Sequence, residues 1–205
     1  VDDGSEDATA DVARSAGAEV VRLQRRGKGA AITAALLHLS KRTHHIVILD
    51  ADGQHRPEDA ARLIQTLKRG YAVVVGNRLH NPTNMPLLRR LTNRAMSALI
   101  RLVSSKTVPD SQCGLKALNT KLLPPQIFRC KKFDWESEVL LYAIKCRLPV
   151  ATLPVECIYR GTPSRIRVIP DTLRFFLLLF RYIFGARMGL PRLWDHYEPP
   201  SSKDV

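Results

Sequence analysis

Apolar and polar positions repeat along this chain in two periods, and each period marks a kind of element. Residues 7–16 carry helical spacing, with Ser5 placed to cap the first turn. Residues 19–23 read as a short strand. Across 28–40, Ile32, Ala35, Leu36 and Leu39 share one helical face. The unbroken run Ile46-Val47-Ile48-Leu49 predicts a buried strand over 45–49. Helical spacing returns over 57–69 through Ala60, Leu63, Ile64 and Leu67, with Pro57 suited to the first turn and Gly70 to the end. Residues 71–75 are the next buried strand. Such alternation predicts an α/β fold, mostly parallel strands with helices on both faces.

The second half is less regular. A basic amphipathic helix is expected over 88–103 and a short strand over 115–118. A helix follows over 135–146, then a strand over 150–159 interrupted by Pro154. A long apolar helix is expected over 166–190, centred on Phe175-Phe176-Leu177-Leu178-Leu179-Phe180. The remaining tail is polar and contains Pro199-Pro200, which predicts disorder.

Composition changes this picture in two places. A chain of 205 residues holds one α/β domain and a short appendage, and 45% hydrophobic content is ordinary. A net charge of +13 is not, and it favours anionic partners. The four cysteines are widely spaced, so they read as reduced thiols and not as a zinc or redox motif. No apolar run reaches the roughly 20 residues of a spanning helix.

Chemistry concentrates where strands end. Asp50-Ala51-Asp52 follows the apolar run directly, so two carboxylates stand at the carboxyl edge of a sheet, where open α/β folds bind ligands. Close carboxylates repel unless a cation separates them, and oxygen ligands suit Mg²⁺ or Mn²⁺. Gln54 could add a ligand or orient one. Asp2 and Asp3 precede Gly4-Ser5 and could accept hydrogen bonds from a ribose or base, or simply cap a turn. Lys28 stands between Gly27 and Gly29 at a helix start, a position that suits an anion or a solvated turn. Arg78 closes the 73–75 strand run and could fork a phosphate. Arg89 and Asn93 share a helical face. The loop at 110–114 is expected to shape a pocket, and Glu136 and Glu138 to favour a helix start electrostatically, with catalytic use of either as the alternative. Flanking arginines on an apolar helix too short to span suit a membrane interface, with a core or oligomer helix as the alternative.

Read together, these segments resemble the glycosyltransferase family 2 enzymes that work on polyprenyl phosphates, of the dolichol-phosphate mannose synthase and dolichyl-phosphate glucosyltransferase types. The carriers are VDDGS at 1–5, RRGKGAA at 25–31, DADGQH at 50–55, VVVGNR at 73–78, PLLRRLTNRAMS at 86–97, DSQCGLKA at 110–117 and YRGTPSR at 159–165. The resemblance implies a GT-A, Rossmann-like fold over 1–165, a membrane-interface helix over 166–192 and a polar tail over 193–205. It implies that Asp2, Asp3, Lys28, Asp50, Asp52 and Arg78 bind a nucleotide sugar. Asp50, Asp52 and Gln54 would surround Mg²⁺ or Mn²⁺. Arg89, Asn93, Arg160, Ser164 and Arg165 would hold the acceptor phosphate, with Asn93 standing where the family usually has serine. Asp52, Arg78 and Arg89 are the residues expected to carry catalysis. The family begins with a strand carrying a nucleotide-contacting motif, whereas this sequence opens on what reads as a strand's end. A longer natural polypeptide is therefore expected.

The implied reaction is inverting, metal-dependent hexose transfer from a nucleoside diphosphate to a polyprenyl phosphate, at the cytoplasmic face of a membrane. One rival is a family 2 transferase acting on a sugar or lipid hydroxyl. A second is a basic nucleic-acid-binding module, disfavoured because aromatics are only 6% and cluster in the apolar helix. A third is a non-catalytic membrane-docking relative. No nucleic-acid partner is expected.

Overall fold

The computed structural model describes residues 1–159 and 168–184. In chain order the elements are α1 (Thr9–Ser15), α2 (Lys28–Leu39), β1 (His45–Ile48), α3 (Pro57–Leu67) and β2 (Val73–Asn77). They continue with α4 (Leu87–Ser104), β3 (Lys116–Asn119), α5 (Trp135–Lys145), β4 (Val150–Pro154) and α6 (Val168–Phe184). Arg160, Ser164 and Arg165, the expected helix beyond residue 184 and the tail lie outside the described residues.

Local chemistry accounts for most boundaries. Pro57 opens α3 with Glu58 and Asp59 in the first turn, where acids meet the positive end of the helix dipole. Gly27 precedes α2 at φ 103°, a left-handed conformation that a side chain would strain. The C-cap of α4 is Ser105 at φ 55°, also left-handed, and it closes the last turn through its N–H to Arg101 O.

The sheet has the order β1-β3-β2-β4. β3 runs antiparallel to both its neighbours, and β2 and β4 are parallel. This corrects the expectation of mostly parallel pairing: three strands share a direction, but the reversed β3 lies between two of them. Alternation of elements carries no information on which strand inserts where. The strand expected over 19–23 is reduced to one parallel bridge between Asp2 and Arg22. The strand expected over 45–49 stops a residue early, and Leu49 is 45% exposed. β1 has one sheet neighbour, so its burial fades toward the end.

The core is centred on β2. Val73, Val74 and Val75 are fully buried, and α3 covers the sheet with Leu63 and Leu67, also fully buried. On α5 the face Val139, Leu140 and Tyr142 joins the same core, while Leu141 turns the other way. There it meets Ile100 of α4 and Phe175, Leu178 and Leu179 of α6. A second apolar cluster thus fixes α6 against α4 and α5. The outer face of α6 keeps Leu173, Phe176, Leu177 and Phe180 in solvent, as α4 does with Leu87, Leu88 and Leu91.

Leu63→Ala removes a side chain with no exposure, and the expected loss of unfolding free energy is about 2–5 kcal/mol in denaturant titration. Leu88→Ala, at a position 78% exposed, is expected to change it by no more than about 0.5 kcal/mol.

Candidate active site

Three chain segments converge on one ammonium group. Lys28, the first residue of α2, places Nζ 2.8 Å from Asp50 Oδ1 and 2.7 Å from Glu136 Oε1. Asp50 stands just past the end of β1, and Glu136 lies in the first turn of α5. The Phe133 ring lies under the same ammonium, 5.7 Å away. Burial pulls the Lys28 pKa down, but Glu136 and Asp50 more than offset this and hold it above the ordinary lysine value. Burial likewise pushes Asp50 up, and Lys28 outweighs it, so the carboxyl lies below the usual range. Both groups are therefore ionised at neutral pH. The second oxygen of Glu136, Oε2, is buried and has no hydrogen-bond partner among the described residues.

Gly114 allows this approach. A Cβ at that position would sit 2.5 Å from Asp50 Oδ2. Asp52, by contrast, is exposed, and its Oδ1 accepts the Gln54 N–H at 3.1 Å. That bond closes the turn that follows β1, in which Gly53 takes φ 72°. Asp50 and Asp52 offer hard oxygen donors beside a spot that already accepts positive charge, the chemistry that Mg²⁺ or Mn²⁺ requires. His55 is buried next to them with Nδ1 unpartnered, and burial followed by Arg78 lowers its pKa.

Asp2 and Asp3 divide their tasks. Asp2 accepts the Ser5 N–H at 2.9 Å and lies 3.4 Å from Arg22 Nε, which is the turn-capping arrangement. Asp3 accepts the N–H groups of Arg26 and Gly27, both at 2.7 Å. It thereby links the opening turn to the glycine loop before Lys28.

Arg78 sits at the carboxyl end of β2, and its fork is engaged. Nε and one terminal nitrogen donate to the two oxygens of Asp110 at 2.8 and 3.0 Å, and the Arg78 backbone N–H donates to the same carboxylate at 3.1 Å. Asp110 is fully buried. Lys116 is also fully buried, with its ammonium on the carbonyls of Ser111 and Cys113, and burial lowers its pKa. These two contacts hold the 110–114 loop against the sheet. Ser97 of α4 adds a hydrogen bond to Ser111 Oγ at 3.0 Å.

Arg89 lies over the Tyr159 ring at 5.2 Å, so the start of α4 packs against Tyr159. Asn93 is buried and turns its amide toward Met85 Sδ at 3.9 Å. The structure therefore joins Lys28 and Asp50 with Glu136 in one ion-paired set, and Asp3 holds the loop that precedes Lys28. The structure also puts Arg78 with Asp110 and Arg89 with Tyr159. Sequence reasoning weighed Glu136 as a helix-start acid or a catalytic group, and placed Asp110 in a pocket-shaping loop, without pairing either with a cation. No spacing signal connects either to its cation, because the partners lie far apart in the chain.

Residues 1–124 match glycosyl transferase family 2. That match covers more than half of the chain, and the chain belongs to this family of glycosyltransferases. Among curated proteins it is 33% identical to "Uncharacterized protein MJ1222" of Methanocaldococcus jannaschii over 90% of this chain and 80% of that protein. It is 38% identical to the UDP-N-acetylglucosamine–dolichyl-phosphate N-acetylglucosaminyltransferase of Methanococcus voltae over 55% of this chain, and it spans 47% of that relative's length. Among solved structures, glucosyl-3-phosphoglycerate synthase of Mycobacterium tuberculosis, in complex with Mn²⁺, UDP-glucose and phosphoglyceric acid, superposes with a TM-score of 0.65. That match is 20% identical and covers 92% of this chain and 67% of the other, and the shared fold is GT-A.

One buried acid makes this region sensitive to pH. Glu138 accepts the N–H groups of Arg129 and Cys130, both at 2.9 Å. Burial pushes its pKa up to about 7 despite those two donors. The folded protein therefore holds this proton more tightly than the unfolded chain does between about pH 4.5 and about 7. Stability from this group is present at the acid end of that window and is lost as pH rises through it. The melting temperature is expected to fall across that window, and Glu138→Gln to flatten the profile.

Proposed function

We propose that this domain transfers a hexose from a nucleoside diphosphate sugar to a polyprenyl phosphate, with inversion at the anomeric carbon. The observation that carries the reading is the charge arrangement at the end of β1: Lys28 between Asp50 and Glu136, with Asp52 exposed alongside. The relative from Methanococcus voltae is named for transfer to dolichyl phosphate, which supports the acceptor class.

Asp3 and the Gly27-Lys28 loop would receive the nucleoside side of the donor. Asp50, Asp52 and Gln54 would hold Mg²⁺ or Mn²⁺, consistent with the ions bound in the Mycobacterium structure. When bound, such an ion supplies positive charge that stabilises a departing diphosphate. Lys28 adds a fixed ammonium to the same region, already ionised and desolvated. Arg78, locked by Asp110, keeps the edge of β2 in place beside the donor. Arg89, braced on Tyr159, would steer the acceptor phosphate together with Arg160, Ser164 and Arg165. A phosphate monoester has a second pKa of about 6, so the nucleophile is largely ionised at neutral pH and needs no base. The apolar outer faces of α4 and α6 would lie against the membrane that carries the lipid, on its cytoplasmic face. No helix among the described residues is long and apolar enough to cross a membrane.

A second reading is favoured by the unpartnered Glu136 Oε2. Transfer to a sugar or lipid hydroxyl requires a positioned base, and this oxygen would be its candidate. An acceptor screen decides: under the first reading polyprenyl phosphate is used and free polyprenol is not.

Asp52→Ala in the full-length protein is expected to lower turnover by at least roughly a hundredfold with an unchanged melting temperature. Full turnover, or insensitivity of the wild type to EDTA, would remove the metal from the reading. Arg89→Ala is expected to raise KM for the lipid phosphate more than KM for the donor, and the opposite split would take Arg89 out of the acceptor site.

A further inference from the structure

Between the segment at 129–134 and α6 lies a cavity of about 300 Å³. Arg129, Lys131 and Lys132 line one side, and Arg174 and Arg181 line the other. Leu177, Leu178 and Cys130 are its apolar lining, with Asp134 its single acid. None of the residues placed at the donor site, Asp3, Lys28, Asp50 and Asp52, lines it, nor does Arg89.

The charge is unbalanced. Asp171 takes up Arg174 at 2.7 Å. Among the described residues no carboxylate lies within ion-pair reach of Arg129, Lys131, Lys132 or Arg181, and a cluster of like charges of this kind draws in a counter-anion. The backbone that carries the cations is held in place. Glu138 fixes the backbone N–H groups of Arg129 and Cys130 at 2.9 Å, and Lys131 O accepts the Ala30 N–H at 3.2 Å. On the other wall, Phe175, Leu178 and Leu179 anchor α6 into its apolar cluster. The walls of the cradle are therefore fixed, and the cost of taking an anion is confined to ordering the exposed side chains.

What stands beside it narrows the ligand. Leu177 lines the cavity and is half-exposed, and it continues into Leu173, Phe176 and Phe180 on the outer face of α6. A cationic pocket that opens onto an apolar strip matches an anionic head on an apolar tail. The volume is at the lower end of small-molecule sites, enough for a head and not for a whole lipid.

We propose that this cavity binds the phosphate head of an anionic bilayer phospholipid, seating α6 on a charged membrane surface. The proposal deepens the membrane part of the function above and is independent of its chemistry. Phosphate oxygens would meet Arg129, Lys131 and Arg181, and the acyl chains would run along Leu177 and Phe176. The site selects charge in the bilayer, whereas the acceptor residues select the lipid that reacts.

The test is vesicle flotation of the full chain, on phosphatidylcholine alone and on phosphatidylcholine mixed with phosphatidylglycerol. Wild type is expected to bind the mixed vesicles roughly tenfold better than the neutral ones. The double variant Lys131→Glu, Arg181→Glu changes two exposed side chains; it is expected to lose that preference, with unchanged circular dichroism and unchanged binding to neutral vesicles. Turnover with a water-soluble, short-chain acceptor phosphate in the absence of vesicles is expected to be unaffected. Equal binding of wild type to both vesicles overturns the proposal, as does a variant that floats like wild type. Loss of turnover on the soluble acceptor also overturns it, since the cavity would then belong to the acceptor site. Flotation needs no catalysis, so an inactive protein that still prefers charged vesicles sinks the enzymatic reading alone.

Discussion

The ammonium of Lys28 lies between two carboxylates, and three elements meet on it. α2 contributes the lysine, the end of β1 contributes Asp50, and the first turn of α5 contributes Glu136. Two acids brought this close would repel without the cation, and a buried cation would lose its charge without the acids. The two acids hold Lys28 above the ordinary lysine value against its burial, and Lys28 in turn holds Asp50 below the usual carboxylate range. Gly114 belongs to the same constraint, because any side chain there would push Asp50 off its partner. The geometry at the end of β1 follows from this one set of contacts.

A second buried pair holds the neighbouring wall. Arg78 and Asp110 are joined by three hydrogen bonds, and Lys116 caps the carbonyls of the same loop. These groups lie inside a largely apolar core, where an unpaired charge is costly. They make the loop between α4 and β3 rigid, although it has no regular secondary structure to hold it. Loop rigidity of this kind lets an active site sit beyond the strand ends while its side chains keep fixed positions.

Much of the element order was legible in the sequence, for a physical reason that varies by element. α3 was readable because Pro57, the acids after it and the Leu63 and Leu67 spacing all point the same way. β2 was readable because three valines in a row have no other good use. The Asp50 and Asp52 pair stood out because acids follow an apolar run directly. β3 was harder: a lysine in a four-residue strand looks like an exposed position, and the carbonyls that receive Lys116 come from a loop. Periodicity marked α4 as amphipathic but could not say which side faces inward. Asn93 and Ser97 go in, since Ser97 bonds to Ser111, and Leu87, Leu88 and Leu91 stay out. The ion pairs of the site were invisible for a related reason: charge complementarity between distant segments leaves no period in the chain.

The place of β3 also governs how the chain can be assembled on a ribosome. β1 and β2 are made early, yet each finds its shared neighbour only in residues 116–119. Until those residues leave the exit tunnel, both early strands present unpaired edges, and Val73, Val74 and Val75 have no sheet to bury in. The nascent protein therefore passes through an interval of exposed, sticky backbone, and it is then that a holdase chaperone would find its binding segment.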